Sequence, residues 1–372
     1  MKVLVTGGLG LIGSACASLF LSKKWEVVIV DNDMRGNIFG KDGSTAKNRQ
    51  EEFSSGKTPR IVSGDIRDKE LMSKIIPEVD AIAHCAAQPS HPKSLEMPLD
   101  DFSINAFGTL QLLELARQLN PKIPFAFLSS NKVYGDQPNN FKYKVWNKRF
   151  ENTALKSFDE TLSIDHCGHT PFGVSKVAAD LYCQEYAHNY GLKTATFRGG
   201  CLTGKNSRAV EMHGYLPYII KCILSGQKYT IYGGGHRVRD QIHSSDVAKA
   251  VFQFIDSPKK GKNGKYGQAY NLGGCRENSI SIFETIDAVE AKTGKKAITA
   301  EGPERESDHI WWISDMSKFR SHYPGWKLTK GLDFIFGEII DYYADALGIK
   351  NKIKPGEPDF FKSNFTDERF LA

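Results

Sequence analysis

Near its start the chain reads Lys2-Val3-Leu4-Val5-Thr6-Gly7-Gly8-Leu9-Gly10-Leu11-Ile12-Gly13, and residues 14–22 follow at helical period. Lys2–Thr6 is a short apolar, β-branched run and predicts a buried strand. Strand, glycine turn and helix in that order form the context in which a glycine pattern predicts a nucleotide site. Gly7 permits the tight turn, Gly10 lets the backbone approach a pyrophosphate, and Gly13 lets the helix pack closely on the strand. The helix opening at Leu11 and Ile12 supplies free N–H groups and the positive end of its dipole. A structural glycine turn is the plainer alternative, and the next acidic residue argues against it.

That residue is Asp31, 24 positions beyond Gly7 at the end of the strand predicted for 25–30. Its carboxylate can accept both ribose hydroxyls and repels a 2′-phosphate, which selects NAD over NADP. Arg35 lies near enough to soften that preference. Asn32 follows directly. Ile61-Val62-Ser63 predicts a third strand leading into Gly64-Asp65-Ile66, where Asp65 and Ile66 would flank an adenine.

Further apolar runs at 81–87, 124–128 and 193–197 alternate with helical segments, among them an amphipathic one at 102–119. Near-continuous apolar strands alternating with helices imply a parallel sheet covered on both faces. The expected fold is thus α/β: a doubly wound parallel Rossmann sheet with a smaller interleaved α/β substrate lobe. Residues 1–198 and 241–273 are expected to build the NAD-binding domain, 199–240 and 274–350 the lobe, and 351–372 a tail. Ligands bind at the carboxyl ends of such strands, where Asp31, Asp65, Gln88, Ser130 and Arg198 stand.

Two stretches interrupt the rhythm. Residues 33–58 are polar and glycine-bearing and read as a surface loop. Residues 137–169 form a long insertion with Phe141, Tyr143 and Trp146, a length more typical of lids or contacts than of plain connectors.

Bulk composition narrows the classes. The 372 residues are 40% hydrophobic and 25% charged, as in a soluble globular protein. The net charge of +6 comes from scattered lysines with no basic stripe, which argues against nucleic acid. No apolar run approaches the ~18 residues of a membrane helix, and the first residues run straight into a strand, without a signal peptide. The seven cysteines are widely spaced, without a Cys-x-x-Cys. They predict reduced thiols in a cytoplasm and neither a disulfide framework nor a metal site.

The chemistry is expected around His169-Thr-Pro-Phe172-Gly-Val-Ser-Lys176. Pro171 suits the first turn of a helix, and Phe172 and Lys176, four apart, project from one face. Ser130, at a strand end, is placed to hydrogen-bond a substrate hydroxyl as it becomes a ketone. Lys176 can bond a nicotinamide ribose while lending positive charge to the proton-transfer site.

Taken together, Thr6–Gly13, Asp31-Asn32, Gly64–Ile66, Ser129–Gly135, the Lys176 helix and Arg237–Asp240 resemble extended short-chain dehydrogenases acting on nucleotide sugars. More narrowly, Ala86-Ala-Gln88-Pro-Ser90-His91, Asn131-Lys-Val-Tyr-Gly135, Phe197–Gly204 and Asp308-His-Ile-Trp-Trp-Ile313 resemble the CDP-paratose 2-epimerase (CDP-tyvelose epimerase) group. The resemblance spans roughly residues 1–346. It implies NAD-dependent epimerisation of a CDP- or GDP-linked sugar at C2 through a transient keto sugar, with deoxysugar synthesis as the setting. It adds Ala86, Gln88, Asn105 and Ser129 as cofactor contacts and Asn131, Arg239, Arg305 and Asp308 as substrate contacts. Gln88, Ser90 and His91 are further sugar-facing candidates, and Cys201 is expected to be a pocket wall. Helix pairing as in the family would give a homodimer, or a tetramer.

The departures are informative. Dehydratases of the family carry an Asp-Glu pair where this chain has Asn131-Lys132, and the uronate decarboxylases place a Glu at Lys132. The family's catalytic Tyr is Phe172 here. Either the proton travels through Ser130 and water, His169 or Tyr134, or the chain is a catalytically impaired or non-catalytic binder of NAD and nucleotide sugar. Trp311-Trp312 could stack on a base, but core packing suits the pair better.

Overall fold

The computed structural model describes residues 1–54, 56, 58–349 and 361. A seven-stranded, wholly parallel sheet runs in the order Gln268–Leu272, Lys193–Gly199, Pro124–Ser130, Ala81–His84, Lys2–Thr6, Glu26–Asp31, Arg60–Ser63. The apolar runs explain why it is buried on both sides. Val3, Val5, Val27 and Ile29 enter one core, and Leu4, Val28 and Val30 enter the other, because successive strand residues point to opposite faces. Helices Leu11–Ser22 and Ser244–Asp256 cover the first face through Cys16, Phe20, Val251 and Phe254. Helices Lys69–Ile75, Gly108–Leu119 and Thr170–Tyr190 cover the second through Met72, Leu112, Ala179 and Cys183.

The smaller lobe holds a parallel pair, Lys228–Tyr232 with Ile298–Gly302. It also holds a sheet centred on Val238–His243, which pairs with Ser279–Ser281, Trp311–Trp312 and Cys201–Thr203. That central strand runs across the boundary expected at 240/241, so the two parts are joined by continuous structure rather than a linker. Helices Tyr215–Ser225, Ile282–Thr293 and Leu332–Ala346 share the lobe's own core. The expected tail lies outside the described residues except Phe361, whose ring packs 5.1 Å from that of Phe336.

Several local expectations change. The strand expected at 81–87 stops at His84. The helix expected at 102–119 begins as a π-helical segment, Phe102–Phe107, before turning α-helical at Gly108. Residues 33–58 are more than a surface loop: they form helices Met34–Phe39 and Asn48–Phe53. The buried Asn48 side chain donates to the Leu9 carbonyl at 2.7 Å, and Arg208 reaches back to Asn48 and Glu51, tying this segment to the lobe. The 137–169 insertion folds a hairpin of Tyr143–Trp146 and Arg149–Asn152. Its Arg149 is buried between Glu151 and Glu284 at 2.7 and 3.3 Å. Its Phe158 packs on both Trp311 and Trp312. It braces the lobe, and none of its residues lines the main cavity. The tryptophans are core, fully buried.

All seven cysteines are free of disulfides. Among the described residues, no helix is long and apolar enough to cross a membrane, and no cluster of His, Cys, Asp and Glu could hold a metal ion.

Candidate active site

A cavity of about 450 Å³ runs along the carboxyl ends of the sheet and under the lobe. One end is the glycine turn. Gly7 has φ +63°, and a β-carbon there would stand 2.7 Å from Ala86 Cα. A β-carbon on Gly13 would fall 2.1 Å from the Gly7 carbonyl oxygen. These are backbone contacts that cannot yield, so the turn demands glycine at both positions. Gly10 caps helix Leu11–Ser22 with no side chain on the first amides, which leaves them for an anion. Asp31 is held by the amides of Leu9 and Asp33 at 2.9 and 2.8 Å. Burial pushes its carboxyl above the usual range, against those two hydrogen bonds. The cradle fits a dinucleotide.

The neighbouring strand end departs from expectation in detail. Both Asp65 oxygens accept from Arg67, at 2.9 and 2.7 Å, and Asn32 donates to one of them at 2.9 Å. The Arg67 guanidinium holds the Asp65 carboxyl below its ordinary range. The carboxylate is therefore already engaged, and Asp65 and Ile66 contribute to the wall chiefly as surface. Arg35 donates to the Arg208 and Gly43 carbonyls and bonds His213, so it is engaged away from a 2′-phosphate.

The middle of the cavity holds the residues expected to carry the chemistry. Ser130, Asn131, Phe172 and Lys176 all line it. Lys176, nearly buried, donates to the Leu128 carbonyl at 3.0 Å and sits 4.8 Å from the Phe127 ring centre. Burial lowers its pKa to about 8, with Asp101 opposing the shift. Ser130 Oγ accepts the Lys132 amide at 3.1 Å. Ser129 also lines the wall, but its hydroxyl donates to Asp180 at 2.7 Å. Asp180 in turn clamps Arg198. Arg198 thus turns into the core rather than toward a ligand.

At the far end Asp308 organises the cations. Its Oδ1 accepts from Arg239 at 2.8 Å and from Lys132 at 3.3 Å, and the Lys132 ammonium also donates to the Ser307 carbonyl at 2.9 Å. Burial opposes ionisation of Asp308, yet these cations hold its carboxyl well below the usual range. Arg305 stacks 4.0 Å over the Tyr232 ring and donates to the Glu211 carbonyl. Cys201 lines the wall, and burial pushes its thiol up to about 12. It forms wall surface and is no nucleophile.

Three expected contacts do not line the cavity: Gln88, Ser90 and Asn105. Gln88 folds its amide onto the Ser90 backbone, and Asn105 accepts the Gln88 amide while donating to Asp101 and Ser175. Ser90 caps the short helix His91–Ser94 and donates to the Met212 carbonyl. These residues shape the loop behind the wall. Two expected proton carriers also fall away. The Tyr134 hydroxyl is buried, donates to Asn271 and accepts from Arg198. His169 Nε2 bonds the Val133 carbonyl at 3.0 Å outside the cavity. His91 does line the cavity, edge-on to Phe172.

The lining also holds residues that the sequence did not mark as ligand contacts: Lys132, Arg237, Gln241 and most of the segment from Asn206 to Pro217. The basic pair at 237 and 239 was a readable signal. The 206–217 loop carries none, because its place is set by the buried ties of Asn206 and Arg208 to the cofactor half.

Residues 3–273 match the model of the NAD dependent epimerase/dehydratase family. The CDP-paratose 2-epimerase of Salmonella typhi is 32% identical over 326 residues, covering 86% of this chain and 92% of that protein. A putative UDP-glucose 4-epimerase of Methanocaldococcus jannaschii is 30% identical, covering 87% and 92%. The solved UDP-glucose 4-epimerase of Thermus thermophilus, a complex with NAD, superposes with a TM-score of 0.74 at 26% identity, covering 93% of this chain and all of that one. The glycine cradle with Asp31, the cavity it shares with Lys176, and these likenesses agree: the chain belongs to the NAD-dependent epimerase/dehydratase family of nucleotide-sugar enzymes.

Proposed function

We propose that this protein epimerises a nucleotide-diphosphate sugar, CDP- or GDP-linked, at C2 through a transient keto sugar; the CDP-paratose 2-epimerase it is similar to supports C2 epimerisation of a CDP-linked sugar by its name. The observation that carries the reading is Lys132. Water elimination needs an acid and a base beside Ser130. Here Asn131 and Lys132 stand there, and the ammonium is tied to Asp308 and Ser307. Oxidation and re-reduction of one carbon needs no such pair.

Bound NAD supplies one chemistry, taking a hydride from the sugar carbon and giving it back. The glycine turn and the Leu11–Ser22 helix start would hold its pyrophosphate, Asp31 a ribose and Lys176 the nicotinamide ribose. Ser130 would orient the reacting hydroxyl. Arg239, already aimed by Asp308, and Arg305 suit the diphosphate because a guanidinium presents paired donors.

Phe172 favours a second reading, a binder of NAD and nucleotide sugar without turnover, because losing the usual hydroxyl costs ~10²–10⁴ in rate. One experiment separates the two. The purified protein and Phe172→Tyr are incubated with CDP- and GDP-linked hexoses, and C2 configuration is followed by NMR. Inversion by the native chain supports the epimerase. Inversion by the Tyr variant alone supports the binder, and inversion by neither sinks C2 chemistry.

A further inference from the structure

Phe172 leaves the site without its usual proton carrier, so a substitute must come from elsewhere on the cavity wall. A carrier must line the cavity, be neutral when substrate binds and hold a nitrogen or oxygen not already committed. Ser130 is taken up in orienting the reacting hydroxyl, and its Oγ already accepts the Lys132 amide. Asp308, Lys132 and Arg239 are bound to one another. His213 bonds Arg35. His309 has an unpartnered Nδ1, but its ring is fully buried, stacked on Trp312 and fixed by its Nε2 bond to the Gly135 carbonyl at 2.7 Å, so it presents no nitrogen to a ligand. The Cys201 thiol is too weak an acid to serve.

His91 meets every condition. It lines the cavity, its ring is partly open, and neither ring nitrogen has a hydrogen-bond partner among the described residues, although Nε2 itself is buried. Its ring stands 6.4 Å from the ring of Phe172 at 86°, against the residue that occupies the family's Tyr position. We propose that His91 is the catalytic acid–base residue that replaces the missing Tyr: its imidazole takes the proton of the sugar hydroxyl as the ketone forms, and returns it when the hydride comes back. The inference rests on the NAD-dependent sugar oxidation put forward above.

The balance is simple. The sugar's O–H and C–H bonds break and C=O forms. The proton goes to His91, and the hydride, with both electrons, goes to NAD. The second half-reaction reverses each change on the other face of the sugar. The electrostatic setting supports this role. Burial and the cations Lys132, Arg305 and Arg239 lower the His91 pKa to about 3 in the ligand-free protein, and Asp308 opposes them. The imidazole is therefore neutral in the ligand-free protein. A diphosphate seated on Arg239 and Arg305 offsets their charge, which makes the ring a stronger base when substrate is present.

The test uses the full chain with its bound cofactor. His91→Asn and the double variant His91→Asn/Phe172→Tyr are compared with the native protein. CDP-glucose and GDP-glucose serve as probes. Bound-NADH absorbance at 340 nm is followed together with C2 configuration, NAD content, melting temperature and CDP affinity by calorimetry. His91→Asn is expected to keep its NAD, fold and CDP affinity and to lose about 100-fold or more in the rate of cofactor reduction. The double variant, with a hydroxyl restored beside the same site, is expected to recover much of that rate. A His91→Asn protein that still reduces its cofactor within threefold of the native rate overturns the proposal. So does a double variant that folds, binds CDP and recovers nothing. Reduction at a carbon other than C2 would sink the C2 reading while leaving the role of His91 standing. No reduction by the native chain with either probe would overturn both.

Discussion

The ring of Phe172 meets the imidazole of His91 edge-on at 6.4 Å, and its backbone amide donates to Ser94 Oγ at 3.1 Å. Residue 172 is therefore fixed against the loop that follows the fourth strand, with its ring in the cavity wall. Phe172→Tyr adds one oxygen to the ring of a residue that is only 7% exposed and lines the cavity. The variant is expected to melt within a few degrees of the native protein, since one added atom beside a cavity overpacks the wall little. Its C2 epimerisation rate should stay within about tenfold of native, because a neutral acid–base group already stands beside it. Initial rates measured by NMR check this, and a gain above a hundredfold would mean that the native chain lacks a proton carrier.

Gly13 touches the turn more closely than any side chain could tolerate: a β-carbon there would fall 2.1 Å from the Gly7 oxygen and 2.7 Å from Gly8 Cα. Gly13→Ala must push the helix off the strand. Overpacking of this kind costs about 1–3 kcal/mol or more. The variant should melt several degrees lower and purify without the cofactor absorbance of the native protein.

Asp31 is the carboxylate proposed above to hold the cofactor's ribose, and the amides of Leu9 and Asp33 orient it. Asp31→Asn keeps the shape and removes the charge. Hydrogen bonds to charged groups contribute about 1.5–3 kcal/mol, so NAD affinity measured by calorimetry should fall about tenfold or more. Affinity for NADP should fall less, which narrows the discrimination between the two.

Lys176 gives a pH signature. Its pKa is lowered from 10.5 to about 8 by burial. Between those values the folded chain has released a proton that the unfolded chain still holds, so stability rises with pH across the window. The contribution of Lys176 is complete above 10.5 and is lost as pH falls through about 8. Cofactor-free native protein should therefore gain stability relative to Lys176→Met as pH rises from 8 toward 10.5. Thermal melts of the pair across that range read the effect, and a constant difference contradicts it.

Exposed apolar side chains crowd the helices expected to pair in a dimer. Leu99 is 83% exposed, and Phe102, Val174 and Leu181 are also open to solvent. The helices that carry Phe102 and Leu181 pack on each other within the chain. A homodimer should form through this face, because open apolar surface of this kind marks an interface. Leu99→Glu with Leu181→Glu should convert it to monomer by light scattering, with NAD content unchanged.

Much of the cofactor half was legible in the residues themselves. Lys2–Thr6, Gly7, Gly13 and Asp31 announce it because each requirement is local: a buried strand, a turn no side chain fits, an acid at the next strand's end. The alternating apolar runs placed the strands correctly, although the run at 81–87 overshot, since apolar residues continue into the loop after His84. Gln88, Ser90 and Asn105 were legible as a cluster but not as a buried scaffold. Nothing in their own neighbourhood says that their polar groups satisfy one another.

The sequence alone determined the fold class and the cofactor, because strand period, helix period and glycine sterics act over a few residues. Tertiary structure alone decided how the cavity wall beyond the glycine turn is assembled. Lys132 meets Asp308 across 176 residues, and Arg208 ties the 33–58 segment to the lobe across 160. The proximity of His91 to Phe172 likewise depends on how two distant loops dock. Contacts of that kind arise from packing between segments far apart in the chain, and local pattern carries no record of them.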